Sequence, residues 1–443
     1  MKRSGTPRHL RPIGALGIAL GLAGAFVGFK ASAQDVTITN ARLVTGDGSA
    51  PIEGGTVVVS GGSVIYAGVA GGAPTRGTVV DAGGQWVTPG IFMPVTDLGL
   101  YDVGGVDETN DTSAGKSRFN AALDASTAVN YASQHIAVSR NAGITRASIV
   151  TTPSGAIFGG QGAVIDTGAD ASPIVKPRAF QVVILGERGG EIAGGSRVAA
   201  YVELANAMRE AADYAAGRWS GDGNLLTRAD AAALVPVVNG SQPLYVRVER
   251  AADIRAVLGL RQTYPALKLV LLGVGEGWMV ARDIAAAGVP VIADPLENLP
   301  DSFEQLGVTQ SNVGRMVAAG VKVALGGLSG GTNEQPGNAR QFAGNIVGLS
   351  NIPGAAGLSW GQAFAAISSV PAEISGFGGK LGVLRPGAAG DVVIWDGDPL
   401  EVSSGVVRVF IDGVEQSLDS HQTRLRDRYK DLDESDLPKA YDW

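Results

Sequence analysis

M-V-A-R-D-I-A-A-A (Met279–Ala287), followed at once by G-V-P-V-I-A-D (Gly288–Asp294), decides the fold reading. The first stretch spaces its apolar residues as a helix does, the glycine stops it, and the run after it has the length and β-branching of a buried strand. The same phrase occurs on either side. R-A-V-L-G-L-R-Q-T-Y (Arg255–Tyr264) leads into K-L-V-L-L-G (Lys268–Gly273), and V-G-R-M-V-A-A (Val313–Ala319) into G-V-K-V-A-L-G (Gly320–Gly326). Helix, glycine turn and buried strand in repetition make a parallel βα array. Ile91–Asp97, Gly143–Val150, Phe180–Leu185 and Leu244–Glu249 bring the expected strands to seven. The α/β class follows, as a TIM-like (β/α)8 barrel with one strand unassigned; an open doubly wound sheet has the same rhythm.

The two ends read differently. From Val36 to Val87 the pattern is β, with Thr56–Gly68 as two strands about a Gly61-Gly62 turn, and further β segments lie at Asp391–Trp395 and Val406–Ile411. Both ends are expected to close into one small composite β-sandwich. The organisation is therefore a leader at 1–33, a sandwich from 34–88 with 381–418, a barrel over 89–380, and a charged tail at 419–443. In that tail Leu425, Tyr429 and Leu432 sit at helical spacing, which predicts an amphipathic helix lying on the body.

Composition narrows the chemistry. The 443 residues include 65 Gly and 21 Pro, no Cys and only three His, which excludes disulfides, thiolate metal sites and a cysteine nucleophile. Lys2, Arg3, Arg8 and Arg11 precede an apolar run from Ile13 to Phe29 and an Ala31-Ser32-Ala33 site, the arrangement of a secretory signal cleaved after Ala33. Export to the periplasm or the medium is expected, with no membrane attachment after cleavage. Losing the five basic residues of the leader takes the net charge from −7 to about −12, which disfavours nucleic acid and anionic lipid. It also removes His9, leaving His135, in a helical stretch, and His421.

D-A-G-G-Q-W-V-T-P-G-I (Asp81–Ile91) and L-G-V-L-R-P-G-A-A-G-D-V-V-I-W-D-G-D-P-L-E (Leu381–Glu401) resemble the opening and closing signatures of the amidohydrolase superfamily. A-A-D-I-R-A-V-L (Ala251–Leu258), A-A-A-G-V-P-V-I-A-D-P-L (Ala285–Leu296) and the run Gly357–Ile374 are most similar to its imidazolonepropionase-like members. The resemblance spans about Val36 to Leu418. It implies a β-sandwich flanking a metal-dependent hydrolase barrel, with two histidines one residue apart on the first barrel strand. Those positions fall on Val95 and Asp97. A second histidine pair falls on Arg247 and Glu249, a single histidine on Gly273, and the terminal-strand aspartate on Gly327. A zinc-activated water has no obvious ligand set among such residues.

Strand ends still point polar groups at the functional face of a barrel. Asp97, Arg247, Glu249 and Asp294 are the candidate site residues, with Arg247 pairing to Asp97 or Glu249 in place of a metal's positive charge. A calcium or magnesium ion among Asp97, Glu249 and Asp294 is the weaker alternative, because Arg247 would repel it. Otherwise no metal or cofactor is expected. Gly159–Gly162 reads as a structural turn without the context of a phosphate loop, and Asp107–Asp111 as a short acidic loop of the mouth. Two functions follow: an exported family member with a degenerate site, serving as a binding protein or partner subunit, or a hydrolase of C–N bonds with a carboxylate-based site. A small-molecule ligand or a related amidohydrolase subunit is the expected partner, in an oligomer.

Overall fold

The computed structural model describes residues 33–221, 223–326 and 335–430. The expected leader lies outside them except for its last residue.

From the amino end come β1 (Val36–Leu43), β2 (Ile52–Ser60), β3 (Ser63–Val69), β4 (Thr78–Asp81) and β5 (Trp86–Pro89). The turn between β2 and β3 has Gly61 and Gly62 at φ 56° and 80°, two successive positive values that a tight hairpin needs and glycine supplies without strain. Next come β6 (Ile91–Thr96), β7 (Ile144–Ile149), β8 (Phe158–Asp166), β9 (Ile174–Ile184), β10 (Leu244–Val248), β11 (Leu269–Gly273), β12 (Val291–Ala293) and β13 (Val323–Leu325), and the last strands are β14 (Val392–Trp395), β15 (Val406–Ile411) and β16 (Val414–Gln416).

Strands β6 to β13 form one sheet in sequence order. All neighbours in it are parallel except β8, which runs antiparallel between β7 and β9. The edges β6 and β13 are joined through residues 366–367, for Leu325 N donates to Ala366 O (2.9 Å) and Phe92 N to Ile367 O (3.0 Å). Eight strands thus form a nearly closed barrel. Side chains alternate about its wall: Val246, Leu271, Val291 and Val323 pack outward against Ile254, Val257, Ile284 and Met316 of the helices. Phe92, Val95, Phe180, Tyr245, Leu272, Ile292 and Ala324 fill the lumen.

The remaining strands make a second, separate sheet in the order β16-β15-β14-β5-β1-β2-β3, with β4 also on β1. Strands from both chain ends meet where β5 and β14 pair antiparallel, Trp86 opposite Trp395. Trp395 is fully buried and donates its indole N–H to Thr88 Oγ1 at 2.9 Å. Only Gly90 separates β5 from the first barrel strand. A Cβ there would lie 2.0 Å from Thr145 Oγ1, so the chain crosses between the sheets at a point that admits no side chain.

One sequence expectation is corrected. The Gly159–Gly162 stretch is part of β8 and not a turn. Its glycines accommodate neighbours, since a Cβ on Gly162 would meet the Phe180 ring at 2.2 Å and one on Gly159 would meet Thr151 O at 2.6 Å. The tail does form a helix, His421–Tyr429, capped by Ser420, but none of its residues is buried and Tyr429 is 58% exposed. It touches the helix Gln134–Asn141 and Leu425 is half-buried; Leu432 lies outside the described residues.

Candidate active site at the barrel mouth

Strand β10 positions the central pair. Tyr245 stacks on Phe180 inside the lumen, ring centroids 4.2 Å apart, and alternation carries Arg247 and then Glu249 up the same wall toward the carboxyl end. Arg247 Nε donates to Glu249 Oε1 at 3.3 Å, and Gly275 N donates to Oε2 at 2.9 Å. Both oxygens of this buried carboxylate are engaged, as a charge out of water requires.

Gly273 makes room for it. At φ 81° its vacant Cβ position lies 2.2 Å from Glu249 Oε1, so the carboxylate occupies the space a side chain at 273 would need. Val274 follows at φ 61°, and Leu296, on the neighbouring mouth loop, sits at φ 63°. For branched or bulky residues these left-handed conformations cost about 1–3 kcal/mol each, strain that concentrates at functional sites.

Asp294 directly follows β12 and is 9% exposed, and its Oδ2 has no hydrogen-bond partner. Burial, reinforced by the Glu249 charge and only partly offset by Arg247, pushes its pKa well above the ordinary carboxylate range. Glu297, three residues on, is pushed up to about 7 by burial and by Glu249 while accepting from Gln305 Nε2 at 3.4 Å. Glu304 is buried with its pKa also raised, chiefly by burial; it accepts from Glu187 N at 2.6 Å and lies 3.5 Å from Arg197. Asp97 is buried just beyond β6, 6% exposed.

All four candidates therefore sit at barrel strand ends. Arg247 pairs with Glu249, and both bear electrostatically on Asp294. Sequence reasoning missed Glu297 and Glu304. Glu297 could have been found from P-L-E-N-L-P following the carboxyl end of a barrel strand, where mouth residues belong. Asp107–Asp111 begins with a single 3-10 turn and is almost wholly exposed. His135 packs on Tyr101, ring centroids 4.4 Å apart, with Nε2 3.0 Å from Asp102 O, and His421 opens the exposed tail helix.

Residues 247–415 match the amidohydrolase family. An amidohydrolase from Thermotoga maritima MSB8 shares the fold at a TM-score of 0.74 and 23% identity, covering 86% of this chain and 99% of that one. A likeness in sequence over residues 247–415 and a fold in common are thus what this chain shares with the amidohydrolases. Molinate hydrolase has a structure similar to this chain's at TM-score 0.53 and 15% identity, covering 88% of this chain and 96% of that one. Among curated relatives, the amidohydrolase tasK of Hapsidospora irregularis is 42% identical over 60 residues. That stretch is 14% of this chain and 6% of the relative, so the chain spans only a small part of that protein.

The superfamily implies a metal-bearing barrel mouth, and the residues here can be tested for it. Val95 is a fully buried part of the lumen core, and the space beside Gly273 is filled by Glu249. Among the described residues no three His, Cys, Asp or Glu side chains form a group that could hold a metal ion. These residues do not fit a divalent ion. Gly327 lies outside the described residues.

Proposed function

We propose that this chain is an exported amidohydrolase-fold protein whose degenerate mouth binds a small polar ligand or supports a related amidohydrolase subunit, without the family's metal chemistry. The Arg247–Glu249 pair carries the reading: its carboxylate takes the space over Gly273, and the guanidinium supplies the positive charge beside it. Asp294, whose Oδ2 is unpartnered and whose pKa burial pushes well above the ordinary carboxylate range, is the polar group left to meet a ligand. The test is metal content per chain, by mass spectrometry, on mature protein purified without chelators or a histidine tag. The expected value is far below one metal per chain, with no turnover of cyclic amides. Near-stoichiometric calcium, magnesium or manganese together with turnover would overturn the proposal.

A second reading is hydrolysis of C–N bonds by carboxyl groups alone. It is favoured by one observation, that two neighbouring carboxyl groups have raised pKa values, Asp294 well above the ordinary range and Glu297 at about 7, in the range that general acid–base work needs. Structural neighbours named molinate hydrolase and phenylurea hydrolase B share the fold only, at 15% and 16% identity. Turnover that disappears in Asp294→Asn and Glu297→Gln, with circular dichroism unchanged, would establish this reading. Undetectable turnover in the parent protein would remove it.

A further inference from the structure

The helix Arg197–Ala215 is only partly covered. It buries Ala200, Leu204, Ala207, Met208 and Ala211, yet Val198 is 73% exposed and Val202 63%, and Leu225 on the loop that follows is 78% exposed. Between helix and loop runs a groove of about 550 Å³, lined chiefly by Phe158, Ala199, Val202, Glu203, Leu225 and Leu226. None of the mouth residues Arg247, Glu249, Asp294 or Glu297 borders it. The volume is that of a small-molecule site, and large apolar side chains left open around one depression mark a binding surface.

The loop wall of the groove is tied to the helix. Glu210, which is buried, accepts from Leu225 N and Leu226 N, both at 2.9 Å, and from Asn206 Nδ2 at 2.7 Å. Hydrogen bonds therefore set the width of the groove, and its apolar sides need not close on each other.

Glu203 is the one ionisable residue of the lining, one turn beyond Ala199 on the same helix face. It is half-buried; burial pushes its pKa up, and the backbone N–H of Ile157 offsets this only in part. Among the described residues no lysine, arginine or histidine forms an ion pair with it. The arginines of its own helix are engaged elsewhere, Arg197 with Asp253 and Glu304, and Arg209 with Asn206. A carboxylate held partly out of water without a counter-charge is unfavourable. A cation that arrives on an apolar body relieves that cost and covers the open valines and leucine in the same step.

We propose that this groove is a second ligand site, for a lipophilic primary amine whose ammonium group pairs with Glu203 while its apolar part lies between Val202 and Leu225. An alcohol of the same shape loses the ion pair, and a matching carboxylate is repelled by Glu203.

The probes are phenethylamine, phenethyl alcohol and hydrocinnamate, titrated calorimetrically into the full chain at pH 8 and soaked into its crystals. The amine should bind at least tenfold tighter than the alcohol, with density beside Glu203, and hydrocinnamate should not bind. Glu203→Gln should bring amine and alcohol within about threefold of each other by removing the charge at nearly constant shape. Ala199→Trp fills the groove from the helix with Glu203 in place and should abolish binding of both, which keeps the test decisive if Glu203→Gln fails to fold. Equal binding of amine and alcohol or no binding of either, a tenfold preference that survives Glu203→Gln, undiminished binding to Ala199→Trp, or amine density only at the barrel mouth would each overturn the proposal.

Discussion

At the scale of single residues, the mouth is governed by one arginine among several carboxyl groups. Arg247→Met keeps much of the side-chain length but leaves Glu249, 3% exposed, as a buried carboxylate without its counter-charge. Breaking a buried pair in this way costs about 3–5 kcal/mol. Urea unfolding at pH 8 should show that loss, and an unchanged midpoint would contradict it. Glu297 makes the complementary prediction. Its folded pKa, raised from 4.5 to about 7, means that the folded protein holds a proton the unfolded chain releases earlier. Its contribution to stability is full below about pH 4.5 and is lost as the pH rises through 7. Melting temperatures at pH 5 and pH 8 should therefore differ less in Glu297→Gln than in the parent; an unchanged difference would assign the pH dependence to other groups. Arg247, Glu249 and Asp294 were legible because strand alternation places them at parallel strand ends. Glu297 was not, since a loop residue shows no periodicity and its perturbation arises from burial that only the folded chain supplies.

At the scale of elements, seven barrel strands announce themselves by apolar, β-branched runs that strand burial demands. The eighth, F-G-G-Q-G-A-V-I-D, carries three glycines within five residues and reads locally as a turn. What makes it a strand is the bulk of its neighbours, chiefly Phe180 on β9 against Gly162. Propensity alone would rank Gly162→Val as an improvement. In this barrel it should destabilise by about 1–3 kcal/mol through overpacking against Phe180, measured by thermal or urea unfolding. Gly162→Val combined with Phe180→Ala should recover part of the loss. The tail helix was legible from its spacing, which leaves Leu425 half-buried and Tyr429 exposed.

At the scale of the whole molecule, the barrel and the end-built sheet share a buried ionic junction. Arg146 on β7 is 3% exposed and grips Asp391 with two hydrogen bonds, 2.7 and 2.8 Å, and Asp412 with a third of 2.7 Å. Asp166 lies 3.7 Å away with its pKa pushed up to about 6 by burial, against the pull of Arg146. Arg146→Met strands Asp391, 2% exposed, and should cost about 3–5 kcal/mol. Hydrogen exchange should locate the loss at β14 and β15, whereas a purely local effect would leave those amides protected. The (β/α)8 architecture and the second sheet were legible from the two signatures near its ends; this junction was not, because it joins residues about 245 positions apart.

The pairing of β5 with β14 also sets an order in time. Thr88 and Trp395 are separated by 307 positions, so the partner of β5 is made only after the whole barrel. Contacts of such long range pay their loop-closure cost late and fold slowly. Pulse-labelled refolding should accordingly protect the amides of β10 to β12 before those of β14, and simultaneous protection would contradict this order. A nascent chain therefore carries one edge of β5 open through the whole synthesis of the barrel.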